Sequence, residues 1–331
     1  MQVIKQAAII GGGVIGGGWI ARLIENGIDV SVYDPAEDAE QKVEAVLKNS
    51  RYAYGKLTNA PRCREGSISF ADSTALAVKQ AELIVESVPE RLDIKQSVYA
   101  EIETAAAVDA IIASSTSYLM PSNLQSKMDH PERLLVGHPF NPVYLLPLVE
   151  LVGGEKTAPD TIERARQIYH SIGMQPLHVR KEIEGFIADR LLDAIWRESL
   201  WLIKDGIAST QDVDDATRFG FGLRFAQMGI FDTYRVAGGE AGMRHFMAQF
   251  GPTLKWPVSK LMDVPEFTDE LVDLIAGQSD EQSGHMSIRE MERIRDDNLI
   301  AILHGLKGNN WGAGKTLVRY EQQLMQAAND E

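Results

Sequence analysis

A single cysteine, Cys63, stands among 331 residues, so no intrachain disulfide can form. It lies in the polar stretch "NAPRCREGS", where a surface thiol is expected rather than a nucleophile, because no base accompanies it. Positive charge is scarce: 33 Lys and Arg against 47 Asp and Glu leave a formal net charge of −14. That balance argues against nucleic acid or an anionic membrane surface as partner. A glycine-rich turn can still hold a phosphate within an acidic protein. No apolar run approaches the ~20 residues of a membrane span. No basic, apolar and small-residue leader precedes the first strand-like run, and the expectation is a cytoplasmic protein. Internal repeats and low-complexity segments are missing as well. The length suits two ordinary domains.

The first half alternates short β-rich runs with helical stretches. "QAAII" (6–10), "DVSVY" (29–33), "LIVES" (83–87), "AIIASS" (110–115) and "RLLVGH" (133–138) read as strands, and the segment 94–107 reads as a helix. Strands apolar on both faces and separated by helices predict a parallel sheet covered on both sides. "PLVELVG" and "PLHVR" add a further pair around a helix near 160–171. After about residue 184 the β signal stops. The run "GFIADRLLDAIWRESLWLIKDG" has helical period but is apolar on more than one face, so it calls for burial on several sides, as in a subunit interface. The expected architecture is α/β: a doubly wound, Rossmann-type domain over 1–184, then an all-helical domain over 185–331 for substrate binding and dimerisation.

Gly11, Gly13 and Gly16 form a G-x-G-x-x-G pattern after the first strand, opening a helix over 14–26. Alone the pattern is weak. Here a second strand follows and ends on Asp34, which is the context of a dinucleotide fingerprint. The glycines serve the tight turn, close approach of a pyrophosphate, and helix–strand packing. The amides at the helix start, through Val14 and Ile15, face the anion. Asp34 suits ribose hydroxyls, and "PAED" after it has no arginine for a 2′-phosphate, so NAD is expected rather than NADP.

The stretch "GHPFNPVYLLPLVE" is apolar and proline-rich, yet begins with His138 and ends with Glu150. A histidine suits proton transfer near neutrality, and a carboxylate on its other ring nitrogen fixes the tautomer and stabilises the imidazolium. Pro142 and Pro147 make a chain reversal between them plausible. A core histidine is the alternative for His138 taken by itself.

With "GGGVIGGGWIA", "VESVPERLDIK", "ASSTSYL", "GHPFNP", "LVELV" and "GFIADRLL" in order, the chain resembles the 3-hydroxyacyl-CoA dehydrogenase superfamily. The resemblance runs to about residue 240. It implies oxidation of a 3-hydroxyl with NAD, His138 as base paired with Glu150, Ser117 on the substrate oxygen, and Asn141 near the nicotinamide. It also implies cofactor contacts from Glu90, Lys95 and Ser115. No metal is expected. The stretch "DGIAS…DDATRFGFGLRF" is similar to a branch acting on small hydroxy acids, with L-carnitine the expected substrate. L-gulonate, a short 3-hydroxyacyl-CoA, and a non-catalytic crystallin-like protein remain as alternatives. Asp189 replaces the asparagine that many members carry. It suits a cationic substrate, or it pairs with Arg190 or another nearby arginine.

A trimethylammonium head is recognised by aromatic faces and negative charge. Phe140, Phe186, Trp196, Phe219, Phe221, Phe225 and Tyr234 are the aromatic candidates, although most of them must be core. Phe219 and Phe221 flank Gly220 in what reads as a loop, which favours them. Gly185, Ile187 and Ala188 are expected to open the helix facing the site and to leave space for the head. A homodimer is expected.

Overall fold

The computed structural model describes residues 4–62, 64–252, 259–260, 263 and 266–330. Cys63, and with it the expectation of a surface thiol, lies outside the described residues. The chain divides into two units, one of 1–187 with 296–331 and one of 188–295.

The first unit runs β1 (Gln6–Ile10), α1 (Val14–Ile24), β2 (Asp29–Tyr33), α2 (Ala39–Leu57), β3 (Ile68–Phe70), α3 (Thr74–Val78), β4 (Leu83–Glu86), α4 (Leu92–Glu103), β5 (Ile111–Ser114), α5 (Pro121–Gln125), β6 (Leu134–Pro139), β7 (Leu148–Gly153), α6 (Pro159–Ser171) and β8 (Gln175–Val179). The strands form one sheet in the order β3-β2-β1-β4-β5-β6-β7-β8. Pairing is parallel except between β6 and β7, so the last two strands run against the rest.

Alternating residues of one strand enter different cores. Ala7 and Ile9 of β1 join the cluster with Trp19, Ile20 and Leu23 of α1, while Ala8 and Ile10 join the cluster with Tyr99 and Ile102 of α4. Burial on both faces explains why the strands read as unbroken apolar runs. β3 was not legible: "ISF" is three residues long and largely exposed at the sheet edge.

The helical remainder is α7 (Ala188–Lys204), α8 (Thr210–Ala216), α9 (Gly222–Ala237), α10 (Gly242–Phe250), α11 (Asp269–Ser283), α12 (Ile288–Gly308) and α13 (Ala313–Asp330). It does not stay together as a 185–331 block. Ile300 and Leu303 of α12 and Leu317, Tyr320 and Leu324 of α13 belong to the core on the α1 side of the sheet. In the second unit, Ser209 and Asp212 form a reciprocal cap at the start of α8. The Trp201 indole donates to the Asp263 carbonyl at 3.0 Å. Among the described residues, no helix is long and apolar enough to cross a membrane.

One buried cluster holds the strand ends that carry the site. Glu86, fully buried at the end of β4, accepts from Lys95 Nζ (2.6 Å), Tyr99 Oη (2.6 Å), Ser114 Oγ (2.6 Å) and the Val88 amide (2.8 Å). Burial first, then the Glu86 charge, pushes the Tyr99 phenol well above its ordinary range, so it stays a donor. A buried carboxylate stripped of its cation costs about 3–5 kcal/mol. Lys95→Met is therefore expected to lower the urea midpoint by a stability loss of that order. An unchanged midpoint would show that the pair contributes nothing.

Candidate active site

The strand order reverses between β1 and β4, and the turns after β1, β4 and β5, with the end of β6, share the carboxyl edge of the parallel strands. Ligands of open α/β sheets lie at such a switch point. Gly11 has φ +98°, and a Cβ there would lie 2.6 Å from the Ser87 carbonyl oxygen. A Cβ on Gly16 would lie 1.9 Å from the Gly11 oxygen, so α1 and β1 touch backbone to backbone. Gly13, at the N-cap of α1, has nothing within 4 Å of where a side chain would be, and no side chain caps the helix. The first amides of α1, from Val14 and Ile15 on, are thus left to a ligand, the arrangement that a pyrophosphate needs.

Asp34 stands at the end of β2, where its Oδ2 accepts the Gly12 amide at 2.7 Å and its Oδ1 accepts Ala36 at 2.8 Å. The carboxylate is thereby fixed beside the glycine turn. Ser115, after β5, accepts from the Trp19 indole at 3.1 Å and lies 3.0 Å from the Ser87 hydroxyl.

His138 on β6 faces Glu150 on β7 in the antiparallel register. Both are buried, and His138 Nδ1 lies 2.9 Å from Glu150 Oε2. The other ring nitrogen, Nε2, lies 3.2 Å from Ser117 Oγ. A carboxylate on Nδ1 favours the tautomer that carries its proton there and turns the Nε2 lone pair to Ser117. Glu150 Oε1 accepts the Ile187 amide at 3.0 Å, which stops the carboxylate turning away. The Phe140 ring meets the imidazole edge-on at 5.0 Å between centroids, and Phe186 lies at 5.4 Å.

Glu90 organises the Ser117 turn. Its Oε1 accepts from the Thr116 hydroxyl and from the amides of Ser117 (3.1 Å) and Tyr118 (3.2 Å). Burial raises the Glu90 carboxyl, but the Thr116 bond, the Lys95 charge and these amides outweigh it, leaving the group below its ordinary range and anionic. Asn141 is exposed just beyond β6.

Several placements differ from the sequence expectation. Lys95 is buried: it is 1% exposed, with its ammonium on Glu86, the Val88 carbonyl at 3.2 Å and Glu90 at 3.5 Å. Gly185 and Ile187 precede the helix instead of opening it. α7 begins at Ala188, because Gly185 (φ +68°) and Phe186 (φ +47°) turn the chain first. Phe219, Gly220 and Phe221 are not in a loop but in a π-helical turn over Thr217–Phe221 that joins α8 to α9, with Gly220 off helical geometry. Phe219 is 78% exposed, and Phe221 packs on Phe225 with centroids 5.5 Å apart. Asp189 is buried in the first turn of α7, a place that favours a carboxylate for the helix's own sake. Tyr234 stacks on Phe246 at 4.7 Å, and Trp196 is exposed.

Thr116 is a part of the site that the sequence reading does not name. Thr116 could have been read from its place between Ser115 and Ser117. Phe186 was counted only as an aromatic, and its positive φ carries no signal in its own residue type.

The family description "3-hydroxyacyl-CoA dehydrogenase, NAD binding domain" matches residues 6–183, and "3-hydroxyacyl-CoA dehydrogenase, C-terminal domain" matches 185–269. A protein of Mesorhizobium japonicum named L-carnitine dehydrogenase is 60% identical over 333 residues, covering 99% of this chain and 92% of that protein. A longer protein of Agrobacterium fabrum, named L-carnitine dehydrogenase/betainyl-CoA thioesterase, is 61% identical over 96% of this chain, which spans 65% of its length. Among solved structures, a 5-formyl-3-hydroxy-2-methylpyridine 4-carboxylic acid 5-dehydrogenase, described as an NAD+-dependent dismutase, superposes with a TM-score of 0.78. It is 29% identical and covers 92% of this chain and 99% of its own. The chain belongs to the 3-hydroxyacyl-CoA dehydrogenase family, with its NAD-binding domain first and its C-terminal domain after it.

Proposed function

We propose that the chain oxidises the 3-hydroxyl of L-carnitine to 3-dehydrocarnitine with NAD. The observation that carries the chemistry is the Ser117–His138–Glu150 relay at the carboxyl edge, with 3.2 and 2.9 Å between successive members. The substrate follows from the 60% identity to a protein named for it. NAD, when bound, accepts the hydride. His138 Nε2 takes the hydroxyl proton as the carbon–oxygen double bond forms, and Glu150 stabilises the resulting imidazolium through Nδ1–H. Ser117 Oγ, already beside Nε2, orients the substrate oxygen, and Asn141 adds a polar contact from the end of β6. Glu90 acts as a positioning group for Ser117, and Asp34 holds the adenosine ribose.

Phe140, half-buried beside His138, offers an aromatic face to the trimethylammonium head, whereas Phe186 is fully buried. Dimerisation falls to the helices after residue 184, α7 first among them. Leu191, Leu192, Ile195 and Trp196 of α7 are 43–56% exposed in the single chain. A row of large apolar groups on one helix supports an interface with a second copy.

Removing the base is expected to lower kcat by ~10²–10⁴-fold in His138→Ala, with NADH binding retained in a fluorescence titration. Glu150→Gln is expected to slow turnover as well, since an amide cannot stabilise the imidazolium. Near-normal turnover by His138→Ala would refute the assignment.

A panel of L-carnitine, D-carnitine, L-gulonate, 3-hydroxybutyryl-CoA and the neutral carbon isostere of carnitine, read by NADH formation, tests the substrate. L-Carnitine is expected to lead, and Phe140→Ala to raise its KM through the loss of about 0.5–2 kcal/mol of cation–π attraction. Equal use of the isostere would sink cation recognition and leave the dehydrogenase chemistry intact.

Sedimentation at micromolar concentration is expected to return a dimer, and Trp196→Glu to weaken it. A monomeric parent protein would contradict the interface.

A further inference from the structure

We propose that Arg22 is a positioning residue that locks the hairpin of the acid–base pair to the helix that receives the dinucleotide. The inference rests on the dehydrogenase reading above.

Arg22 sits in the last turn of α1 and is 3% exposed. Its Nε donates to the Val143 carbonyl at 3.0 Å, and its Nη2 donates to the same oxygen at 2.8 Å and to Leu146 at 3.2 Å. Nη1 reaches the Ile172 carbonyl at 3.5 Å. All these partners are main-chain carbonyls, and among the described residues no carboxylate forms an ion pair with the group. A guanidinium placed in a core without an anion is a costly choice. The carbonyl end of α1 offsets part of that cost. The remaining rationale lies in what the carbonyls belong to.

Val143 and Leu146 lie in the turn between β6 and β7, the strands of His138 and Glu150. The turn closes on itself through the amides of Leu145 (3.0 Å) and Leu146 (2.9 Å) on the Pro142 carbonyl. That leaves the Val143 and Leu146 oxygens facing the interior, and Arg22 gathers both. One helical turn earlier, Gly18 lets α1 approach the same segment: a Cβ there would lie 2.9 Å from Val143 Cβ. The Tyr144 hydroxyl ties the turn to buried Asp296 at 2.7 Å.

The consequence is geometric. α1 has 11 residues, so it is a rod about 16 Å long. Its first turn meets the dinucleotide and its last turn grips the hairpin. The distance between the hydride acceptor and His138 is therefore set through one rigid element. A lysine could not do the same, because its donors radiate from one nitrogen, whereas the planar guanidinium spreads Nε, Nη1 and Nη2 over the Val143, Leu146 and Ile172 oxygens in a fixed fork.

Arg22→Lys tests this, with Tyr144→Phe as the milder second variant. Arg22→Lys is expected to exchange the Leu145 and Leu146 amides faster with deuterium and to bind NADH as the parent does. Its kcat for L-carnitine is expected to fall by about tenfold or more, since a misplacement of ~1 Å can cost ~10²-fold, while KM for NAD stays near the parent value. Tyr144→Phe is expected to shift the same two readouts in the same direction by less. Unchanged exchange in the turn would overturn the clamp whatever the substrate. Faster exchange with full kcat would overturn the positioning role, as would kcat and NADH affinity lost in parallel. If Arg22→Lys does not fold, full kcat in Tyr144→Phe overturns the proposal. A parent protein inactive on L-carnitine would instead count against the substrate reading, and the exchange measurement would still decide the clamp.

Discussion

The antiparallel pairing of β6 with β7 is the constraint on which the site depends. Directly opposed residues in such a pair have Cβ atoms about 4.5–5.5 Å apart on one face. His138 and Glu150 are opposed in this way, so their contact follows from register and needs no separate device. A slip of one residue would turn Glu150 to the other face of the sheet. The rings of Phe140 and Phe186 and the Ile187 amide are all arranged around the pair that this register creates. The reversed direction of β7 and β8 also ends the parallel run, and it does so at the strand that carries the histidine.

Carboxylates in this acidic chain act as staples for backbone. Asp34 takes the amides of Gly12 and Ala36, and Glu86 takes Val88. Glu90 takes Ser117 and Tyr118, and Glu150 takes Ile187. Each amide belongs to a turn at the carboxyl edge or to the segment entering α7. Charge-assisted bonds to N–H groups are stronger than neutral ones, and they hold loops that have no ladder of their own. Negative charge near a phosphate-binding turn is thereby spent on local donors and partly neutralised by Lys95.

Much of this was legible in the sequence because it rests on local pattern. β1 and β2 read at their observed bounds, since short β-rich runs with a flanking glycine and aspartate mark them. The Gly11–Gly16 turn, Asp34 and the His138–Glu150 pair likewise announce themselves by residue type and context. What was not legible depends on distant partners. Lys95 reads as a cofactor contact, and only Glu86, on another element, explains its burial. The turn at Thr217–Phe221 has glycine and aromatic content that resembles a loop, yet it joins α8 to α9 as a helical turn kinked at Gly220. Arg22 looks like any basic residue near a helix end until the β6–β7 turn is placed beside it. The return of the final helices to the sheet has no periodic signature at all.

That return bears on the order in which the molecule can be completed. A ribosome delivers the sheet, then the intervening helices, and only after them the segment from Asp296 onward. Until then the surface meant for Ile300, Leu303, Leu317, Tyr320 and Leu324 is open, and Tyr144 has no Asp296 to receive its hydroxyl. The nascent first unit is a partly assembled body with exposed apolar surface, the kind of species that aggregates or recruits chaperones. A stretch synthesised well after the sheet thus seals the sheet's own core.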